Sequence, residues 1–219
     1  MKIFLVILFF SATCLSHAIL AIENQKLIFS ENFAGSPRQD VKTENGRSYM
    51  SGTEFNINGT YNGCHYWGDV ELGFSVRFPK QFPKSFYLSV KDGGWREKTK
   101  FMLYYITFTA DGLSFYAHGL DKGIPEKKGD FKFKDSGFEN LKPDVWYRFV
   151  VRCEKDRLKI SIGKEPGSLK QVCDAEVLPG GGGVRIFSYD RNRKVCENPF
   201  DLANVEVVEL AFAPRRQAN

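Results

Sequence analysis

The chain has 219 residues, 42% hydrophobic and 26% charged, with 31 Lys plus Arg against 26 Asp plus Glu, for a formal charge of +5. That balance excludes disorder as the main state, and charges so evenly mixed give no footprint for a nucleic-acid partner. Twenty Phe, 9 Tyr and 3 Trp beside 20 Gly and 9 Pro favour aromatic-rich strands and tight turns over helices.

At the amino end Lys2 precedes an apolar run from Ile3 to Phe10, and Ser16-His17-Ala18 offers small residues at a cleavage point. This is the order of a secretory signal peptide over residues 1–18, and its apolar core is too short to cross a bilayer. The expectation is a secreted or periplasmic protein with no integral membrane span after cleavage. A short linker over 19–26, a folded domain over 27–212 and a loose tail over 213–219 complete the division. Cys14 leaves with the signal peptide, so Cys64, Cys153, Cys173 and Cys196 remain. An even number of cysteines in an oxidising compartment makes them disulfide candidates in any of three pairings, and their spacing matches no zinc site.

From Asp69 to Phe78 apolar Val70, Leu72, Phe74, Val76 and Phe78 alternate with Glu71, Gly73, Ser75 and Arg77. Period two over ten residues predicts a half-buried strand. After Pro79 and Pro83 a second strand resumes over Ser85–Lys91, with Phe86, Leu88 and Val90 on one parity. Phe101–Thr109 is apolar or aromatic on both parities, as in a central strand. Asp111-Gly112 turns it into Leu113–Gly119, where Tyr116 and His118 share the second parity. Residues 120–130 read as a polar loop whose lysines and acids are a solvated face, followed by a short Phe131/Phe133 strand. Trp146–Glu154 opens a three-strand meander with Leu158–Ile162 and Leu169–Val177, turned at Lys155-Asp156 and Glu165-Pro166-Gly167. The run Gly180–Gly183 has no Lys-Ser/Thr after it and reads as an entry into the strand GVRIFSY, not as a phosphate cradle. Asn204–Leu210 is the last strand. The sum is about ten to twelve short strands with no helical stripe, hence an all-β antiparallel sandwich of two sheets.

The opening Phe29-Ser30-Glu31-Asn32-Phe33, the strand Gly68–Phe78, the Trp146-Tyr-Arg strand, Gly183-Val-Arg-Ile-Phe187 and the closing Ala203-Asn-Val-Glu-Val207 resemble the concanavalin A-like jelly rolls. Within these the chain is most similar to the 3-keto-disaccharide hydrolase-like domains of secreted bacterial proteins, over roughly Leu27 to Ala211. The resemblance implies a jelly-roll sandwich that binds or cuts glycans on a concave face, with calcium in several lectin-like branches. Asp190 and Asn192 are the oxygen donors that calcium would use, but two ligands fall short of the six to eight it takes, so no metal or cofactor is expected. Family-16 glycoside hydrolases also resemble this fold, yet their Glu-x-Asp-x-(x)-Glu run of paired carboxylates is absent here.

A glycan site needs aromatic platforms for apolar ring faces and planar polar groups for hydroxyls. Interleaved on strands and loops, Trp67, Glu71, Trp95, Tyr104, Tyr116, His118, Arg148 and Arg185 supply both, while Trp146 is assigned to the edge of the core. Glu71 and His118 are the residues through which acid–base chemistry would run, if they meet Arg148 or Arg185 in one concavity. The leading expectation is an exported carbohydrate-binding domain for an oligo- or polysaccharide. The alternatives are a hydrolase or lyase acting on 3-keto-disaccharides or related glycosides, and a structural or adhesion module with a protein partner.

Overall fold

The computed structural model describes residues 25–34, 40–56, 69–83, 86–92, 102–119, 126–177, 183–188 and 199–211. The signal peptide, Trp67, Trp95, Cys64, Cys196, Asp190, Asn192 and the tail therefore lie outside the described residues.

Fourteen strands are described: β1 (Lys26–Glu31), β2 (Val41–Glu44), β3 (Arg47–Gly52), β4 (Glu54–Asn56), β5 (Asp69–Arg77), β6 (Phe86–Asp92), β7 (Met102–Thr109), β8 (Gly112–Gly119), β9 (Lys127–Lys132), β10 (Tyr147–Glu154), β11 (Arg157–Lys164), β12 (Lys170–Glu176), β13 (Gly183–Phe187) and β14 (Phe200–Ala211). They form an eight-stranded sheet in the order β12-β11-β10-β5-β14-β3-β2, with β1 also on β14, and a six-stranded sheet in the order β4-β13-β6-β7-β8-β9. The pairings are antiparallel. Strand β7 is interior to its sheet, as its two-sided apolar sequence requires. Strand β14 is paired on both sides, with β5 along one edge and β3 then β1 along the other. Its register shifts between Ala203 and Glu206, where Asn204 takes a left-handed φ of 49°.

Alternation decides what fills the interior. The inner residues of β5, Val70, Leu72, Phe74 and Val76, are fully or almost fully buried, and so are Phe149, Val151 and Cys153 on β10. From the six-stranded sheet Phe86 inserts its ring among Phe78 at 5.3 Å, Phe200 at 5.2 Å, and Phe74 and Phe149 at 6.3 Å. These edge-on and tilted geometries suit the ring quadrupole, so the two sheets interlock by shape as well as by apolar area.

Two sequence expectations are corrected here. Residues Lys127–Lys132 form edge strand β9 instead of continuing a loop, and the chain then turns through a 3₁₀ segment, Phe133–Ser136, that buries Phe133. Phe131 and Phe133 thus serve different elements. The disulfide expectation is also corrected for Cys153 and Cys173, which are buried thiols. Cys153 lies on β10 and Cys173 on β12, with β11 between them. Two strand spacings separate their backbones by about 9 to 10 Å. A disulfide spans at most about 7 Å between Cα atoms. Burial, reinforced by Asp174, pushes the Cys173 thiol up to about 12.

Removing the interlocking ring, Phe86→Ala, is expected to destabilise the fold by about 3 to 5 kcal/mol, read as a lower urea midpoint. At pH 9 iodoacetamide is expected to leave Cys153 and Cys173 unmodified in the folded protein and to alkylate both after denaturation, as mass spectrometry would show. The same shift makes stability fall as pH rises from the ordinary thiol value of 9.0 towards about 12, because the unfolded chain releases that proton first.

Candidate functional site

Period two sends every second residue of the six-stranded sheet away from the core, and the strand registers align those residues into two rows. One row runs Arg185, Ser89, Tyr105, Tyr116 and Lys128; the next, two residues along, runs Glu54, Phe187, Tyr87, Thr107, Ser114 and Asp130. Aromatic side chains from β6, β7 and β13 meet at the centre. Tyr87 stacks on Phe187 at 5.3 Å with planes 12° apart, and Tyr105 meets the same ring edge-on at 6.3 Å. Phe187 is the buried underlayer of this group, while Tyr87, Tyr105 and Tyr116 remain half-exposed.

Polar groups flank the rings. The Arg185 guanidinium lies 5.4 Å over Phe187 and its Nη2 donates to Glu54 Oε1 at 2.7 Å. On the other side the Tyr116 hydroxyl donates to Glu126 Oε1 at 2.6 Å. That bond to a carboxylate, aided by slight burial, raises the Tyr116 phenol above its ordinary value, since ionising it would set two anions together. Thr107 and Ser114 add hydroxyls between. Flat apolar surface, phenols and a guanidinium–carboxylate pair are thus presented on one rigid sheet.

The sequence candidates divide between the two sheets. Tyr104, Tyr116, His118 and Arg185 belong to strands of the six-stranded sheet. The side chains of Tyr104 and His118 are not described; by register Tyr104 pairs with buried Val90 and Ala117, and His118 with Leu103. The outward tyrosine of β7 is Tyr105. Glu71 and Arg148 lie on the other sheet, where Glu71 pairs with Arg152 at 3.3 Å and Arg148 with Glu206 at 2.8 Å. A single concavity joining Glu71 and Arg148 to His118 and Arg185 therefore does not form. Trp67 and Trp95 lie outside the described residues.

Sequence reasoning missed Tyr87, Tyr105, Phe187 and Glu54. Parity alone could have found Tyr87, which alternates with Phe86 and Leu88, and Phe187, which alternates with Ile186. Tyr105 carried no such signal, because β7 is apolar on both parities. Among the described residues no three His, Cys, Asp or Glu side chains gather as ion ligands.

The fold defines a class, the two-sheet antiparallel sandwich that resembles concanavalin A-like jelly rolls. A family-16 glycoside hydrolase of the Bacteroides ovatus mixed-linkage glucan system, solved with a G4G4G3G product, aligns with a TM-score of 0.52 at 10% identity, over 82% of this chain and 99% of that one. The binding domain of Paraclostridial Mosquitocidal Protein 1 aligns at 0.50 and 10% identity, over 87% of this chain and 50% of its own. That of botulinum neurotoxin serotype G gives 0.50 and 12%, over 86% and 49%. No family model and no curated protein sequence matches the chain, so the likeness is one of fold.

Glu126→Gln is expected to lower the Tyr116 phenol back towards 10.0, measured by its ultraviolet titration against the wild type.

Proposed function

We propose that this chain is an exported carbohydrate-recognising domain whose glycan lies across the outer face of the six-stranded sheet. The observation that carries this reading is the packing of Tyr87, Phe187 and Tyr105 beside the Arg185–Glu54 pair. Sugar rings offer apolar C–H faces to such aromatic surface, and their rim hydroxyls pair with planar donors and acceptors. Because the groups stand on strands and not on loops, they are held in place before a ligand arrives, which lowers the ordering cost of binding. Export is supported by Lys2, the apolar run Ile3–Phe10 and Ser16-His17-Ala18. Use of the same sandwich by a glucan-processing enzyme is compatible with glycan recognition.

A glycan-array screen followed by calorimetry tests the reading. Binding to at least one oligosaccharide is expected, weakened about tenfold or more by Tyr87→Ala and by Tyr105→Ala with the circular dichroism spectrum retained. Absence of any glycan signal above background sinks it, whereas turnover of 3-keto-disaccharides would replace it with the hydrolase reading.

A further inference from the structure

The opposite surface of the sandwich holds a separate groove. On the outer face of the eight-stranded sheet, Gly163, Arg148, Ser75 and Ala203 form one cross-strand row. Three of these four have little or no side chain, so the sheet surface is low there, and the Arg148 side chain lies along it. A Cβ at neighbouring Gly73 would come within 2.5 Å of Arg148 Nη2, so that position admits only glycine while Arg148 keeps its place. Two hairpin tips stand over this floor. One is the β2–β3 turn at Asn45-Gly46, with φ of 51° and 76°, and the other is the β11–β12 turn from Glu165. The groove between them measures about 680 Å³, within the range of small-ligand sites.

Glu165 ties the parts together. Its Oε2 accepts from Arg47 Nη1 at 2.7 Å, its Oε1 accepts from Ser75 Oγ at 2.8 Å, and its backbone N–H donates to the Trp146 carbonyl at 2.9 Å. Trp146 is consequently not at the core edge, as its sequence position implied. It lies in the groove, with the Arg47 guanidinium 4.6 Å and the Arg77 guanidinium 5.1 Å from its ring centre. Arg77 in turn donates through Nε and Nη2 to Asp201, which is only 2% exposed, and it pairs with Glu44 at 2.9 Å. Burial alone would lower the Arg77 guanidinium, but the bonds to Asp201 and Glu44 outweigh it and hold the group above its ordinary value.

The charges of the groove are therefore satisfied within the protein. Arg47 has Glu165, Arg77 has Asp201 and Glu44, and Arg148 has Glu206 together with the Asn204 carbonyl at 2.6 Å. The three guanidinium groups already face four carboxylates, Glu165, Glu44, Asp201 and Glu206, so an anionic ligand would meet a repulsion that a neutral one does not. What the groove still offers is directional: unused guanidinium N–H groups, carboxylate lone pairs and the Asn45 amide. Beside them lie the partly exposed Trp146 and the 45% exposed side chain of Leu169.

We propose that this groove is a second saccharide site, on the face opposite the Tyr87–Tyr105 surface, and that it takes a neutral oligosaccharide and not a uronate or sulfated one. Its existence does not depend on glycan binding at the other face.

The test is an NMR titration of the full chain with cellotetraose, xylotetraose and mannotetraose, and in parallel with tetragalacturonate. The expected result is that at least one neutral ligand shifts the Trp146 indole N–H and the Arg47 and Arg77 Nε–H signals. Its affinity should change little between about 0.02 and 0.3 M salt, because no net charge is exchanged. Leu169→Glu, an exposed change outside the core, should weaken that binding about tenfold, as should Trp146→Ala if it folds. The proposal is overturned if neutral ligands move only Tyr87, Tyr105 or Arg185 signals, which would leave the other face standing as the glycan site. It is equally overturned if tetragalacturonate binds in the groove more tightly and salt weakens it. If no neutral ligand binds anywhere by about 10 mM, the groove proposal fails, and the face reading rests on the array alone.

Discussion

The insertion of Phe86 between the sheets is the contact on which the rest of the arrangement depends. Its ring touches those of Phe74, Phe78, Phe149 and Phe200 across the interface and that of Phe108 within its own sheet. Phe149 extends the group by stacking on Phe74 at 5.2 Å and meeting Phe108 edge-on at the same distance. A close-packed knot of this size fixes the inner parity of β5, β6, β7, β10 and β14 at once. A slip of one residue in any of them would send a phenylalanine into water.

With the inner parity consumed by Phe, Leu, Val and Ile, the outer parity is left for residues with another use. The two outer faces are built differently. On the six-stranded sheet the outer residues include Tyr87, Tyr105, Tyr116 and Phe187, and Tyr87 and Tyr105 rest on Phe187 to form an aromatic surface. On the eight-stranded sheet the outer positions of β5, β11 and β14 include Gly73, Ser75, Gly163 and Ala203, so the Arg148 side chain of β10 can lie flat along the sheet. The first face presents a platform, and the second encloses a groove between hairpins. Side-chain volume on the outer parity and the two hairpin tips over the second face together make that difference.

The ion pairs of the second face do unequal amounts of structural work. Exposed pairs such as Arg152–Glu154 contribute little, since water screens them and two flexible side chains must be held. Asp201 is different. It is buried at the end of β14 and holds Arg77 through two hydrogen bonds, and Arg77 in turn lies over the rings of Tyr49 and Trp146 at 5.2 and 5.1 Å. One buried carboxylate thus orients a guanidinium and, through it, two aromatic rings. The bridge from Glu165 to Arg47 and Ser75 does the same for the hairpin tip above them.

What the sequence alone determined was set by local periodicity. The alternations in Asp69–Phe78, Tyr147–Cys153 and Leu158–Ile162 specify strands and their buried sides without reference to any neighbour, and turn residues such as Asp111-Gly112 fix where the strands end. The all-β sandwich followed, because that many one-sided strands can hide their apolar faces only against a second sheet. Which strands share a sheet could not be read this way. The pairing of β14 with β5, or of β13 with β6, joins segments far apart in the chain, and alternation is equally satisfied by other partners. Glu71 and Arg148 therefore looked like companions of His118 and Arg185 until the sheet order separated them. Tyr105 is the outward tyrosine of β7 because the registers with β6 and β8 set it beside Ser89 and Tyr116, and Trp146 lies off the core edge, where Arg47, Arg77 and Glu165 converge on it. Propensity and parity act over a few residues, whereas a site is made by registers and contacts between distant strands, and those exist only once the two sheets have packed.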